Sequence, residues 1–163
     1  MGSNRERQAL IVDTGSGIAA IPCKNYCRSC GNGHLNEFFD LDRSTSKYVY
    51  QCNQDISCTC MEGNKCSFVQ QYGEGSLYRG FLVKDELYFG EIQHLGLDAF
   101  NFTFGCVQEE TNLFYSQEAD GILGMTRGSS NPHMRPIFEV MHEQKLIERR
   151  MFTLCLGKDG GYF

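Results

Sequence analysis

Short runs of apolar and β-branched residues, each ended by glycine or polar residues, are the main pattern along this chain. Residues 8–12 form such a run, which predicts a buried strand that delivers Asp13 into a polar, glycine-rich turn. The same reasoning predicts further strands over residues 67–72, 77–89, 99–107 and 151–156. The pattern is typical of a mainly β domain, and 163 residues are enough to bury a sizeable core.

A hairpin and a helix complete the predicted elements. Residues 73–76 separate two of the strands and place glycine at a hairpin tip. Residues 136–148 favour a helix, because Pro136 suits the first turn and Ile137 and Val140 begin an apolar face at helical spacing. No stretch of the sequence looks like a linker that would divide the domain.

Charge and apolar content exclude some classes of protein. The net charge is −5 and the isoelectric point is about 5.3, which disfavours a nucleic-acid partner because a phosphate backbone attracts a basic face. The sequence has no apolar run of about 18 residues, the length of a membrane-spanning helix. Its first ten residues lack the apolar segment of a signal peptide.

Nine cysteines are the unusual feature of the composition, and seven of them fall within residues 23–66. Such density indicates either disulfides formed in an oxidising compartment or a metal site. A zinc site at Cys23, Cys27, Cys30 and His34 is the alternative, but the spacing of the later cysteines fits no usual zinc finger, so disulfides are favoured. Because seven is odd, one thiol is free or pairs outside the segment. The seven are Cys23, Cys27, Cys30, Cys52, Cys58, Cys60 and Cys66.

Three motifs carry the candidate chemistry. Asp13-Thr14-Gly15-Ser16 places a carboxylate in a turn whose hydroxyls and glycine N–H can hold it, although such a sequence alone is more often a solvated turn. The hairpin sequence Tyr72-Gly73-Glu74-Gly75-Ser76 follows about 60 residues later, and Ala119-Asp120-Gly121-Ile122-Leu123-Gly124 lies further on. In this order they resemble the N-terminal lobe of a pepsin-family aspartic protease, from Gln8 to the end of the chain.

The cysteine-rich segment resembles the insert of nepenthesin-like members of that family. Ile21-Pro22-Cys23 and Glu74 are similar to the plasmepsin V-like apicomplexan branch. The resemblance implies one lobe of the bilobal pepsin-like acid protease fold, with one or two short helices. It also implies that residues 1–163 are a lobe truncated at both ends, from a longer secretory precursor.

The resemblance assigns roles to particular residues. Asp13 is the expected catalytic residue, supported by Thr14, Gly15 and Ser16. A disulfide is expected between Cys106 and Cys155, and neither a cofactor nor a metal is expected. The expected flap and substrate-binding residues are Tyr72, Gly73, Glu74, Gly75, Ser76, Ile11, Leu113 and Ile122. Residues of the kind of the last three are more often plain core.

Hydrolysis in this family needs two carboxylates that share a proton, one to take a proton from water and one to polarise the carbonyl. The sequence holds one such loop, and Asp120 corresponds to a structural position of the family. The chain is therefore expected to be inactive alone and to need a C-terminal lobe. A non-catalytic peptide-binding lobe and a single-lobe homodimeric protease are the alternatives.

The expected partner is a peptide or protein substrate. The expected location of the chain is the secretory pathway, in the endoplasmic reticulum, a vacuole or outside the cell. A carboxylate at the flap tip, Glu74, can pair with a basic side chain near the scissile bond, and Glu37 is a second candidate. Each is equally a solvated charge. The family's usual Trp seven residues after the catalytic Asp is Ala20 here, so the sequence names no partner for the Tyr72 hydroxyl.

Overall fold

The computed structural model describes residues 1–53, 58–88, 99–128, 131–158 and 160–162. Two single-turn 3-10 helices, Leu41–Arg43 and Glu62–Asn64, lie in the cysteine-rich segment. In chain order the strands and α-helices are β1 (Leu10–Asp13), β2 (Ala19–Pro22), β3 (Tyr48–Val49), β4 (Ser67–Gln71), β5 (Leu77–Leu87), β6 (Phe100–Glu110), α1 (Leu113–Ser116), β7 (Gly121–Gly124), α2 (Ile137–Glu143), β8 (Cys155–Gly157) and β9 (Gly160–Tyr162).

Seven of these strands form one sheet in the order β1-β7-β2-β6-β5-β3, with β4 paired to β5. The pairs β1–β7 and β2–β6 are parallel, whereas β2–β7 and β5–β6 are antiparallel. β8 and β9 form a separate two-stranded sheet. A mainly β lobe with two short α-helices in the described residues confirms the predicted fold class.

Alternating side chains of the central strands enter two different core clusters. On β5, Phe81 and Val83 join one cluster and Leu82 joins the other. On β2, Ile21 and Ala20 divide in the same way. Because successive side chains of a strand point to opposite faces, both faces of this sheet are buried. Burial on both faces explains the unbroken apolar stretches Ala19–Ile21 of β2 and Phe81–Val83 of β5.

The β4–β5 hairpin is confirmed, with Gln71 opposite Leu77. β5 ends at Leu87, and residue 89, where the predicted strand ended, lies outside the described residues. β6 runs to Glu110 instead of ending at residue 107, because Tyr78 of β5 provides a partner for it.

Two predicted elements were too long. The helix predicted over residues 136–148 ends at Glu143, because Lys145 takes a φ of 61°, outside the right-handed helical region. The strand predicted over residues 151–156 begins only at Cys155, since β9 offers partners to residues 155–157 alone.

The structure contradicts the predicted disulfide between Cys106 and Cys155. Cys106 is bonded to Cys23, and Cys155 is an exposed free thiol. The parallel register of β2 and β6 sets Ile21 opposite Cys106. Cys23, which directly follows the end of β2, therefore lies beside Cys106. Cys155 lies on the separate β8–β9 hairpin.

All seven cysteines of residues 23–66 are paired in the structure. Cys23 bonds to Cys106, outside the segment, and this explains why the segment has an odd number of cysteines. The other six pair within the segment. In the parts of the chain that the structure describes, no group of three or more His, Cys, Asp or Glu side chains could hold a metal ion. The six form the disulfides Cys27–Cys30, Cys52–Cys60 and Cys58–Cys66.

The helices in the described ranges are too short, at seven residues or fewer, for any of them to cross a membrane.

The Cys23–Cys106 bond joins residues 83 apart, so it restricts the unfolded chain strongly. We expect Cys23→Ser to lower the free energy of unfolding by about 4 kcal/mol, measured by urea unfolding. Cys155→Ser is the control and should change it by less than about 0.5 kcal/mol. Recovery of a peptide linking Cys106 to Cys155 after digestion without reductant would contradict the pairing.

Candidate active site

Asp13 is the last residue of β1 and lies opposite Gly124 of β7. Its carbonyl oxygen accepts a hydrogen bond from the Met125 N–H at 2.7 Å. The short apolar run of β1 carries the carboxylate to the end of a paired strand and fixes its backbone there. The prediction that this strand is buried is wrong, because β1 lies at an edge of the sheet and Ile11 and Val12 are exposed.

The Asp13 carboxylate is held by its own loop. The Gly15 N–H donates to Oδ1 at 2.8 Å, and the Ser16 hydroxyl donates to Oδ2 at 2.5 Å. Ser16 is buried, Asp13 is half-buried, and Thr14 and Gly15 are exposed. Because each carboxylate oxygen can accept more than one hydrogen bond, both oxygens keep lone pairs for a further donor such as water.

Gly124 explains the apolar-apolar-glycine sequence of β7. A Cβ on this residue would lie 2.6 Å from the Ser16 carbonyl oxygen and closer still to the backbone of Ile18. The Gly124 N–H instead donates to the Ile18 carbonyl at 2.6 Å. Only glycine allows β7 to pass this close beneath the Asp13 loop.

The predicted flap is a tight turn at the end of the β4–β5 hairpin. The Tyr72 N–H donates to the Ser76 carbonyl at 2.9 Å, and the Gly75 N–H donates to the Tyr72 carbonyl at 3.0 Å. Gly75 has a φ of +94°, which favours glycine. Gly73 and Glu74 are exposed at the tip.

The Tyr72 hydroxyl donates to the Ser16 hydroxyl oxygen at 3.3 Å. Since Ser16 in turn donates to Asp13, a chain of hydrogen bonds joins the flap to the carboxylate. The sequence did not predict this contact. Its signal was the small residue at Ala20, which lies fully buried in the cluster against which Tyr72 packs.

Burial raises the pKa of Tyr72 to about 12, and the negative charges of Asp13 and Glu74 act in the same direction, whereas the contact with Ser16 lowers it. The ring of Tyr72 meets that of Phe114 edge to face, with centroids 5.0 Å apart. The hydroxyl is thus a neutral donor throughout the acid and neutral range.

Two contacts attach the flap to the start of α1. The Asn112 side-chain amide donates to the Gly75 carbonyl at 2.9 Å, and the Leu113 N–H donates to the Ser76 hydroxyl oxygen at 3.2 Å. A hydrogen bond to Ser76 is the main cause that lowers the pKa of the Glu74 carboxyl. Ser76 therefore connects the charge at the flap tip to the neighbouring helix.

The expected apolar subsite residues divide in the structure. Ile11 on β1 and Leu113 on α1 are 40% and 62% exposed. Ile122, in contrast, is 3% exposed and packs in the core cluster with Ala20. Ile122 is therefore a core residue of β7, which lies between β1 and β2 in the sheet.

Other candidate residues lie away from Asp13. Glu37 is paired with Lys24 at 3.4 Å and lines a separate polar cavity of about 290 Å³, which contains neither Asp13 nor Tyr72. The buried Asp120 carboxylate accepts the N–H groups of Ala9 and Asn36, which makes it a structural clamp for the entry to β1.

The family described as "Xylanase inhibitor N-terminal" matches residues 1–162. The chain is 30% identical to Aspartic protease 5 of Toxoplasma gondii over 179 residues, with 99% of this chain and 18% of the relative covered. It is 30% identical to Plasmepsin V of Plasmodium falciparum over 165 residues, covering 99% of this chain and 27% of the relative.

Aspartic proteinase nepenthesin-1 of Nepenthes gracilis is 29% identical over 132 residues, covering 78% of this chain and 28% of the relative. The chain thus spans less than a third of the length of each of these three relatives.

Removal of the Tyr72 hydroxyl should change the alkaline stability of the chain. The folded chain keeps this proton up to about pH 12, whereas the unfolded chain loses it at about pH 10, so stability is full below about pH 10 and falls above it. Between about pH 9 and about pH 11, the free energy of unfolding of the unaltered chain should fall by about 1 kcal/mol more than that of Tyr72→Phe, after allowance for solvent screening.

The measurement is urea unfolding followed by circular dichroism at the two pH values. Tyr115→Phe, which alters an exposed tyrosine of α1, is the matched control and should keep the slope of the unaltered chain. Equal slopes for the unaltered chain and Tyr72→Phe would show that the Tyr72 phenol does not contribute.

Proposed function

Because the chain belongs to the pepsin-like aspartic protease family, we propose that it is the N-terminal catalytic lobe of an aspartic endopeptidase and supplies Asp13, one of two carboxylates that activate water. The observation that carries the proposal is the hydrogen-bond chain from the flap hydroxyl of Tyr72 through Ser16 to the Asp13 carboxylate. It places an oriented carboxylate directly beneath a hairpin that can cover a peptide.

In this proposal the second carboxylate comes from a C-terminal lobe. Two carboxylates close together share one proton, so one takes a proton from water while the other donates to the scissile carbonyl. The Gly15 N–H and the Ser16 hydroxyl fix the direction of the Asp13 carboxylate. The exposed Thr14 is free to brace the facing loop, and Tyr72 covers the substrate.

We further propose that the substrate carries a basic residue near the scissile bond. Glu74 is fully exposed at the flap tip, and its contact with Ser76 lowers the pKa of its carboxyl, which keeps the charge at acid pH. An arginine side chain is the natural partner of such a carboxylate. The four disulfides indicate an oxidising compartment and support the secretory pathway as the location.

A non-catalytic peptide-binding lobe is the second candidate, favoured by the exposed flap tip and by the exposed apolar side chain of Leu113 beside it. Such a lobe would bind a peptide with the same flap and with the exposed Ile11 and Leu113, but would not hydrolyse it. A homodimer that pairs two copies of Asp13 is the third, and it predicts that activity of the chain alone rises with the square of its concentration.

The test of the catalytic proposal is Asp13→Asn in the full-length native protein. We expect the hydrolysis rate of a fluorogenic peptide to fall by at least about 10³-fold, because a general base is lost while the loop keeps its shape. Asp42→Asn, at an exposed carboxylate in the cysteine-rich segment, should retain full activity. Undiminished hydrolysis by Asp13→Asn would leave the binding lobe as the better account.

The test of specificity is Glu74→Gln in the same protein. We expect kcat/KM for an arginine-containing peptide to fall by about tenfold, the worth of one charge-assisted hydrogen bond, and kcat/KM for a norleucine analogue to stay unchanged. Glu37→Gln removes an equal charge in the separate cavity and is the matched control. If both peptides lose activity equally, or if Glu37→Gln has the larger effect, the role of Glu74 is wrong.

A further inference from the structure

A buried histidine–glutamate pair lies behind the flap, outside the Asp13 site. His34 Nε2 is 3.2 Å from Glu110 Oε2, and His34 Nδ1 is 2.8 Å from the Ala119 carbonyl oxygen. The two side chains are 2% and 0% exposed. The Gly31 N–H donates to the same Glu110 oxygen at 3.1 Å, while the other oxygen, Oε1, is buried with no partner among the described residues.

The pair joins both ends of one segment. Glu110 ends β6 and Ala119 precedes β7, so His34 bridges the residues on either side of segment 111–119. His34 itself belongs to the cysteine-rich segment, and the Leu35 N–H donates to the Glu118 carbonyl at 2.8 Å beside it. Without His34, the two ends of segment 111–119 would lose the side chain that connects them.

Segment 111–119 is the part of the chain that supports the flap. It provides the Asn112 and Leu113 contacts to Gly75 and Ser76, and the Thr111 N–H donates to the Leu77 carbonyl at 3.1 Å. It also carries Phe114, against whose ring Tyr72 packs. A shift of this segment would therefore move the flap backbone and the Tyr72 ring together.

The geometry of His34 requires a specific number of protons. The Ala119 carbonyl and the ionised Glu110 carboxylate are both acceptors, but a neutral imidazole has one N–H. Both contacts are hydrogen bonds only if the ring carries two protons or if Glu110 carries one. Above about pH 6.5, an imidazole and a carboxylate that are separate in water hold one titrating proton fewer than this arrangement requires. The pair in the closed structure therefore holds one extra, shared proton.

The groups around the pair do not supply that proton. Burial is the main cause that raises the pKa of the Glu110 carboxyl, which favours retention of the shared proton. Burial likewise raises the pKa of the Tyr78 phenol, which faces Glu110, so this group stays neutral. Asp120 follows Ala119 and is a buried carboxylate already bonded to backbone N–H groups, and Phe38 meets the His34 ring edge to face.

We infer that His34 is a positioning residue for the flap: through a proton shared with Glu110 it holds segment 111–119, and loss of that proton as the pH rises releases the segment. The link to substrate cover rests on the proposed function, but the release itself does not. The closed segment binds one more proton than the open one only at pH values between the titration of a separated imidazole, about pH 6.5, and that of the closed pair. Its opening constant should therefore rise by up to about tenfold per pH unit within that window.

The experiment is amide hydrogen exchange of the unaltered chain at about pH 6, 7 and 8, with each rate divided by its intrinsic rate at that pH. We expect protection of residues 111–119 to fall by up to about tenfold per pH unit, and protection of central β5 amides such as Leu82 to stay constant. Uniform protection across pH, or an equal fall throughout β5, would overturn the inference.

His34→Gln separates the shared proton from simple packing. A glutamine amide can donate to Glu110 from the position of Nε2 without titrating, so we expect segment 111–119 to be less protected at about pH 6 but to lose its pH dependence. His142→Gln, on the surface of α2, should behave as the unaltered chain. A slope retained in His34→Gln refutes the inference, and if that variant fails to fold, the exchange of the unaltered chain decides alone. Because no step requires catalysis, failure of the proposed function does not affect this result.

Discussion

Gly124 lies against the backbone of residues 16–18 at a distance that leaves no room for a side chain. This contact lets β7 pass between β1 and β2, so that Asp13 is supported by a paired strand on one side and by its own loop on the other. Any larger residue would have to displace the Ser16 carbonyl, and with it the hydroxyl that both Asp13 and Tyr72 use. The arrangement of the site thus depends on one missing Cβ.

The flap is connected to the rest of the lobe by polar contacts more than by apolar burial. Its tip is exposed, and the contacts that fix it come from Asn112, Leu113 and Ser16. Asn112 and Leu113 belong to segment 111–119, and His34 of the cysteine-rich segment contacts the residues at its two ends. The cysteine-rich segment contains few regular elements and is held by disulfides and by the His34–Glu110 pair. A region with little hydrophobic periodicity therefore contributes to the position of the tip of the β4–β5 hairpin.

Local patterns predicted the β4–β5 hairpin, the Asp13 loop and the presence of the central strands, because apolar runs and glycine at turns act over a few residues. The ends of several elements and the exposure of β1 were not predicted. Features set by distant partners were missed. The Cys106 bridge depends on the parallel register of β2 and β6, the end of α2 depends on one left-handed residue at Lys145, and the Glu110 partner of His34 lies 76 residues away. The replacement of a large aromatic residue by Ala20 was visible in the sequence, but the compensating contact from Tyr72 to Ser16 was not.

The position of β1 has a consequence for handling the chain. β1 pairs with β7 on one side, no described strand covers its other side, and Ile11 and Val12 are partly exposed along it. Natural proteins protect such edges with charged residues or proline, and the one charge of β1 is Asp13, which the site requires. Preparations of the chain by itself are thus prone to join edge to edge. A dimer seen under those conditions reports an uncovered strand and is no evidence for a second catalytic carboxylate.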